Sequence, residues 1–122
     1  DETAIVSVIA LTGETVDPSR PPSAATGETG WKVGPANGRV AIEIVTDGKP
    51  IAGLAFTIEG LAAGKAIIEH RAATGSTFAY VAPCYIGEGV ARCSFSGRTL
   101  EVMRVTIPAA APVTIYGLQL LR

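Results

Sequence analysis

Charge is scarce in this chain. Asp, Glu, Lys and Arg make up 17% of its 122 residues, where a globular domain usually carries roughly a quarter. Ten basic residues against eleven acidic ones leave a net charge of −1. No basic stripe exists, which removes the electrostatic footprint that nucleic-acid binding needs. Histidine occurs once, at His70, and cysteine twice, at Cys84 and Cys93, too few for a closed zinc site. No run approaches the ~18 apolar residues that a membrane-spanning helix requires. The start, Asp1-Glu2-Thr3, lacks both Met and the basic-plus-apolar layout of a signal peptide. That start implies either a leader already removed, hence export, or a trimmed sequence. Helical periodicity is missing too: Gly or Pro interrupts every candidate, and only Leu61-Ala62-Ala63 could form a turn of helix.

What the sequence has is strand. Hydrophobic residues reach 48%, and the length fits one domain spanning residues 1–122 with a single core. Thr3 to Leu11, rich in Ile and Val, reads as a strand covered on both faces. From Arg39 to Thr46 the alternation is clean, with Val40, Ile42 and Ile44 on one face. Asp47-Gly48 follows as a hairpin signal, and Ile51 to Glu59 returns with Leu54, Phe56 and Ile58 on the core face. Further strands are expected over 66–72, 77–82, 84–86, 90–95, 100–107 and 113–121. Eight or nine short strands at regular spacing predict an all-β antiparallel sandwich, jelly-roll or Ig-like. Residues 12–38, with Pro18, Pro21 and Pro22, form a long Pro/Gly-rich loop or arm in which Trp31 and Val33 can make a short strand. Such a loop is either functional or poorly ordered.

Chemistry is thinly represented. A two-residue turn at Glu88-Gly89 sets Cys84 opposite Cys93 at a non-hydrogen-bonded pair, where side chains approach closely. A cross-strand disulfide is the candidate there, conditional on an oxidising compartment; two buried free thiols are the alternative. No nucleophile elbow surrounds Ser94 or Ser96, and His70 lacks an orienting partner for base catalysis. Gly60 to Ala66 is one residue short of a phosphate loop and lacks its Ser or Thr. Glu43, Glu59, Glu69 and Glu101 fall on strands, where the alternation rule favours solvated outward faces over a glycosidase pair. Trp31, Tyr85 and Tyr116 are the aromatics that could act as sugar platforms, each with a structural alternative as a rim residue. Within the long loop, Val16, Trp31 and Val33 are the sizeable apolar anchors for an interface. No catalytic, cofactor-binding or metal-binding residue is assigned.

Five stretches, Val40-Ala-Ile-Glu-Ile-Val, Ile51-Ala-Gly-Leu-Ala-Phe-Thr-Ile, Gly89-Val-Ala-Arg-Cys-Ser-Phe-Ser-Gly, Leu100-Glu-Val-Met-Arg-Val-Thr-Ile-Pro and Val113-Thr-Ile-Tyr-Gly-Leu-Gln-Leu, give a pattern that resembles cohesin-like β-sandwich modules. The resemblance implies a jelly roll that grips a helical dockerin partner outside the cell. It transfers no binding residue, since Glu59-Gly60-Leu61 stands where cohesins commonly carry Tyr-Asp-Pro. The resulting expectation is a non-catalytic structural or protein-interaction module of an extracellular, cell-surface or virion assembly, with a protein partner or neighbouring subunits and possible homo-oligomerisation. A phage capsid decoration or tail subunit is the specific alternative within that class. A carbohydrate-binding module is the alternative from a different class.

Overall fold

Alternation of apolar and polar residues fixes which side of each strand is dry, and the computed structural model, which describes residues 4–122, follows it closely. The expected strand start at Thr3 lies outside the described residues. Ten strands are present among them: β1 (Ile5–Thr12), β2 (Glu14–Thr15), β3 (Trp31–Gly34), β4 (Arg39–Thr46), β5 (Ile51–Glu59), β6 (Ala63–Arg71), β7 (Ala79–Gly87), β8 (Val90–Arg98), β9 (Val102–Pro108) and β10 (Val113–Leu121). Their hydrogen-bonded order is β1-β4-β9-β6-β7-β8-β5-β10-β3-β2, and the paired strands run antiparallel. The link between β7 and β8 consists of two pairs, Ile86↔Ala91 and Gly87↔Val90, and there the ribbon folds over on itself. Five strands thereby lie on each side of one core, a jelly-roll β-sandwich. Val40, Ile42, Ile44, Leu54, Phe56 and Ile58 all belong to that core. No helix among the described residues is long and apolar enough to cross a membrane.

Two differences of opposite sign set the strand count at ten rather than the expected eight or nine. Residues 12–38 contain the short strand expected at Trp31 and Val33, which is β3, and add β2 and a 3-10 turn over Pro22–Thr26. In the other direction, the two strands expected over 77–82 and 84–86 are one, because β7 runs straight through Pro83. Along that stretch β7 is hydrogen-bonded only to β6, and a strand edge accommodates a residue with no N–H. Leu61-Ala62-Ala63 forms no helical turn; Ala63 already opens β6.

Two other expectations are corrected. Asp47-Gly48 does not close a hairpin. Strand β4 pairs with β1 and β9, whereas β5 pairs with β8 and β10, so residues 47–50 arch from one sheet to the other. Local bonds build the arch: the Thr46 hydroxyl donates to the Leu100 carbonyl at 2.6 Å and accepts from the Gly48 N–H at 3.1 Å. The Lys49 N–H donates to Asp47 Oδ1 at 3.1 Å, and Arg122 pairs with the same carboxylate. The Lys49 bond, helped by the charges of Arg122 and Lys49, holds Asp47 below its ordinary pKa. This contribution is present at neutral pH and lost as pH falls through the lowered value. Strand β1, expected to be covered on both faces, is an edge strand with Val6, Ile9 and Leu11 exposed. Only Val8 on it is fully buried.

The interface anchors expected in residues 12–38 also part company. Trp31 faces Ile115, and Val33 faces Val113; both are fully buried, while Lys32 between them points to solvent. The indole N–H donates to Thr15 Oγ1 at 2.8 Å, so even its polar edge is satisfied internally. Pairing with β10 turns the alternate residues of β3 inward, which withdraws Trp31 and Val33 from any partner. Val16 is 51% exposed. Just before β3, Gly30 has φ +82° and passes so close to β10 that a Cβ there would lie 2.8 Å from the Tyr116 Cβ; no other residue fits.

Cys84 and Cys93 are bonded, with Cα atoms 5.1 Å apart. The turn beside them has φ of +52° at Glu88 and +76° at Gly89, the two left-handed positions of a tight hairpin. Beyond Ile86 and Ala91 the two strands share no ladder pair, so the bridge ties the two sheets where their hydrogen bonding ends.

Trp31→Ala is expected to cost about 3–5 kcal/mol through the cavity it leaves. The melting temperature should fall by roughly 10 °C or more, with the association state unchanged. A shift under about 2 °C with weakened association would show instead that Trp31 serves an interface. For the disulfide, intact mass without reductant should be two hydrogens lower than with it. Reduction should cost about 2.5 kcal/mol, from the short loop that the bridge closes; free thiols in protein made under oxidising conditions would contradict the pairing.

Candidate functional site

On the sheet formed by β1, β4, β9, β6 and β7, inward burial of Val40, Ile42, Ile44, Ala66, Ile68, Cys84, Ile86, Met103, Val105 and Ile107 forces their neighbours outward. Register then assembles the outer face. Ala41 faces Thr106, which faces Ile67, which faces Pro83. One step along, Glu43 faces Arg104, which faces Glu69, which faces Tyr80.

Tyr80 reaches this face through an irregularity. Tyr85 is outward because Cys84 and Ile86 are inward, and by strict alternation a residue five positions away points the other way. The register shifts between Ile68↔Ala82 and Glu69↔Tyr80, so Val81 is an extra residue on β7. This bulge returns Tyr80 to the outer side. The two tyrosines are 61% and 65% exposed and flank Pro83 about 13 Å apart along the strand.

Beside this aromatic edge lies a polar lattice. Arg104 Nε donates to Glu69 Oε1 at 2.8 Å, and Arg71 Nη2 stands 3.6 Å from Glu43 Oε2. The Phe78 ring covers both guanidiniums, with Arg104 at 4.3 Å and Arg71 at 5.5 Å from its centroid. Arg71 also donates to the carbonyls of Ala72, Ala73 and Gly75 at 3.0–3.3 Å, anchoring the turn that carries Phe78. Partly exposed pairs of this kind contribute only about 0–1 kcal/mol each. Their main effect is positional: they hold planar, hydrogen-bonding groups at fixed points on the surface. Between the lattice and β1 runs a groove of about 320 Å³ lined by Leu11, Thr12, Arg39, Ala41, Glu69, Arg104 and Thr106. That volume is at the small end of ligand sites.

A larger concavity of about 560 Å³ opens at one end of the sandwich, lined by Ile58, Gly60, Leu61, Ala62, Glu88 and Gly89. It offers one ionisable side chain and no aromatic ring, so it has little with which to orient a polar ligand. Among the described residues no group of three His, Cys, Asp or Glu could hold a metal ion. His70, on β6 opposite Ala79 and Met103, lies away from Ala66, the residue facing Cys84.

The three aromatics expected as platforms are not brought together. Trp31 is in the core, Tyr116 lies on β10 opposite Thr57 in the other sheet, and Tyr85 alone reaches the outer face. Glu43 and Glu69 do point outward, but each is engaged by an arginine rather than freely solvated. Tyr80 and Phe78 are aromatics that the sequence gives no reason to prefer as platforms, and nothing local in it singles out Arg71 or Arg104. Arg104 and Glu69 meet across 35 residues, a register that no local pattern encodes.

No family model matches the chain, and no curated protein matches it. Solved structures do. Chitosan-binding module 1 of a chitosanase/glucanase from Paenibacillus sp. IK-5 superposes with a TM-score of 0.65 at 17% identity, covering 91% of this chain and 94% of that one. The CBM32 module of AlyQ, solved in complex with 4,5-unsaturated mannuronic acid, gives 0.71 at 14% identity, covering 97% and 95%. The N-terminal domain of the single-strand break repair protein XRCC1 gives 0.66 at 6% identity, covering 98% and 99%. At such identities the likeness shows the fold alone: a jelly-roll sandwich, not specifically a cohesin-like one. None of these likenesses supports a virion subunit.

Proposed function

We propose that this chain is a non-catalytic carbohydrate-binding module whose ligand lies across the outer face of the β1-β4-β9-β6-β7 sheet. The observation that carries this reading is the pair Tyr80 and Tyr85, both exposed on one face beside fixed guanidinium, carboxylate and hydroxyl groups. Sugar rings have apolar faces and polar rims. Tyrosine supplies a rigid apolar plane with a polar tip, and Arg104, Glu69 and Thr106 supply directional hydrogen bonds. A chitosan-binding module and a CBM32 module bound to an unsaturated mannuronic acid, among the structural neighbours, support the same class, while fold likeness to a repair protein leaves the decision to the site's own residues. A disulfide suits an oxidising compartment, which supports a location outside the cell or at its surface. A second reading, a protein-interaction module, is favoured by Val6, Ile9 and Leu11 on the free edge of β1, where an extended partner strand could add.

Affinity electrophoresis through gels containing soluble polysaccharides tests the proposal. Retention by at least one of them is expected. Tyr80→Ala and Tyr85→Ala should each weaken it about tenfold, equivalent to ~1.4 kcal/mol, while stability stays within ~0.5 kcal/mol, as for surface substitutions generally. Retention that neither substitution alters would move the site elsewhere, and no retention in any gel would favour the protein-interaction reading.

A further inference from the structure

Resting on the carbohydrate reading, we infer that the ligand is an anionic glycan, one carrying carboxylate or sulfate groups, held by Arg39 and Lys65 with Tyr85 beneath the sugar. The outward residues of the five strands include four cations, Arg39, Lys65, Arg71 and Arg104, and two carboxylates, Glu43 and Glu69. This face therefore carries +2 in a chain of net −1, which leaves −3 for the rest of the molecule. Positive charge is concentrated here against the molecule's own sign, the arrangement that steers anions to a surface.

The four cations divide into two kinds. Arg71 and Arg104 are committed to Glu43 and Glu69 and lie against Phe78. Arg39 and Lys65 are exposed and make no ion pair among the described residues. Arg39 faces Pro108, Thr106 faces Ile67, and Lys65 faces Tyr85. Continuing the register two residues from Ile67 sets Lys65 level with Pro108. One row across the sheet thus reads Arg39, Pro108, Lys65, Tyr85. At the usual strand spacing, the two cations stand about 10 Å apart, with the ring about 5 Å beyond Lys65. Arg39 also lines the groove with Thr106 and Arg104. A sugar stacked on Tyr85 would bring a carboxylate within reach of Lys65, and the next charged group along the chain would meet Arg39. A free guanidinium and ammonium there gain partners on binding without breaking an existing pair.

Affinity gels containing polygalacturonate, a neutral galactan, or dextran sulfate, run at about 50 mM and about 500 mM NaCl, test the inference. Retention by polygalacturonate or dextran sulfate should exceed that by galactan at least tenfold at low salt and fall about tenfold at high salt. Which of the two polyanions retains the protein more separates carboxylate from sulfate recognition, and both outcomes support the inference. Arg39→Gln combined with Lys65→Gln should lower polyanion retention at least fivefold. Arg92→Gln, the same charge change on exposed β8 of the opposite sheet, should leave it unchanged. Equal, salt-independent retention by galactan would overturn the anionic preference and leave carbohydrate binding standing. Loss by Arg92→Gln as large as that of the double variant would also overturn it, as diffuse charge attraction. Absence of retention by every polysaccharide, charged or neutral, would overturn the carbohydrate reading itself.

Discussion

The contact between the two inward apolar faces governs everything else in this molecule. Every long strand gives its alternate residues to a core that runs from Val8 on β1 to Trp31 and Val33 on β3. Because side chains alternate strictly, committing one set to that contact releases the other to the surface. The lattice of Glu43, Arg71, Phe78, Arg104 and Glu69 exists because Ile42, Ile44, Ile68, Met103 and Val105 point the opposite way. The same contact accounts for the arch at residues 47–50. Strands β4 and β5 are both heavily buried but belong to different sheets, so their connection must cross the core's edge rather than turn back on itself.

Much of the fold was legible from this constraint, and much of the site was not. Alternation in Val40-Ala-Ile-Glu-Ile and Leu54-Ala-Phe-Thr-Ile assigned core faces correctly because it depends on nearest neighbours alone. The turn at Glu88-Gly89 was legible for the same reason: two left-handed residues set the register that brings Cys84 to Cys93. Asp47-Gly48 carries an equally good local signal, yet Asp47 and Thr46 use their side chains to build an arch. Which sheet receives the next strand is decided by tertiary packing, not by the dipeptide. Trp31 misled for a related reason. Its Pro- and Gly-rich surroundings look like loop, and its partner Ile115 lies far along the chain.

The outer face was hidden most thoroughly. Strict alternation separates Tyr80 from Tyr85, and the bulge at Val81 that unites them shows only in the pairing of β7 with β6. Bulges re-aim side chains at functional surfaces, and this one converts a lone exposed ring into a pair. Ladder register likewise carries Arg104 from β9 to Glu69 on β6, and Phe78 arrives from the loop before β7. The bridge between β7 and β8 stands at the edge of this face. A staple there steadies the strand that presents both tyrosines, linking the stability of the seam to the geometry of the surface.

Amide chemical shifts of isotope-labelled protein, followed while the polysaccharide fragment retained best is added, locate the ligand directly. Binding across the outer face should move amides in 63–71, 79–87 and 102–108, Thr106 included, together with that of Arg39 on β4. Little change should occur along β5 and β10, on the opposite sheet. Shifts confined to the concavity around Ile58, Gly60 and Gly89, with the β6 and β7 amides unmoved, would contradict a site on this face.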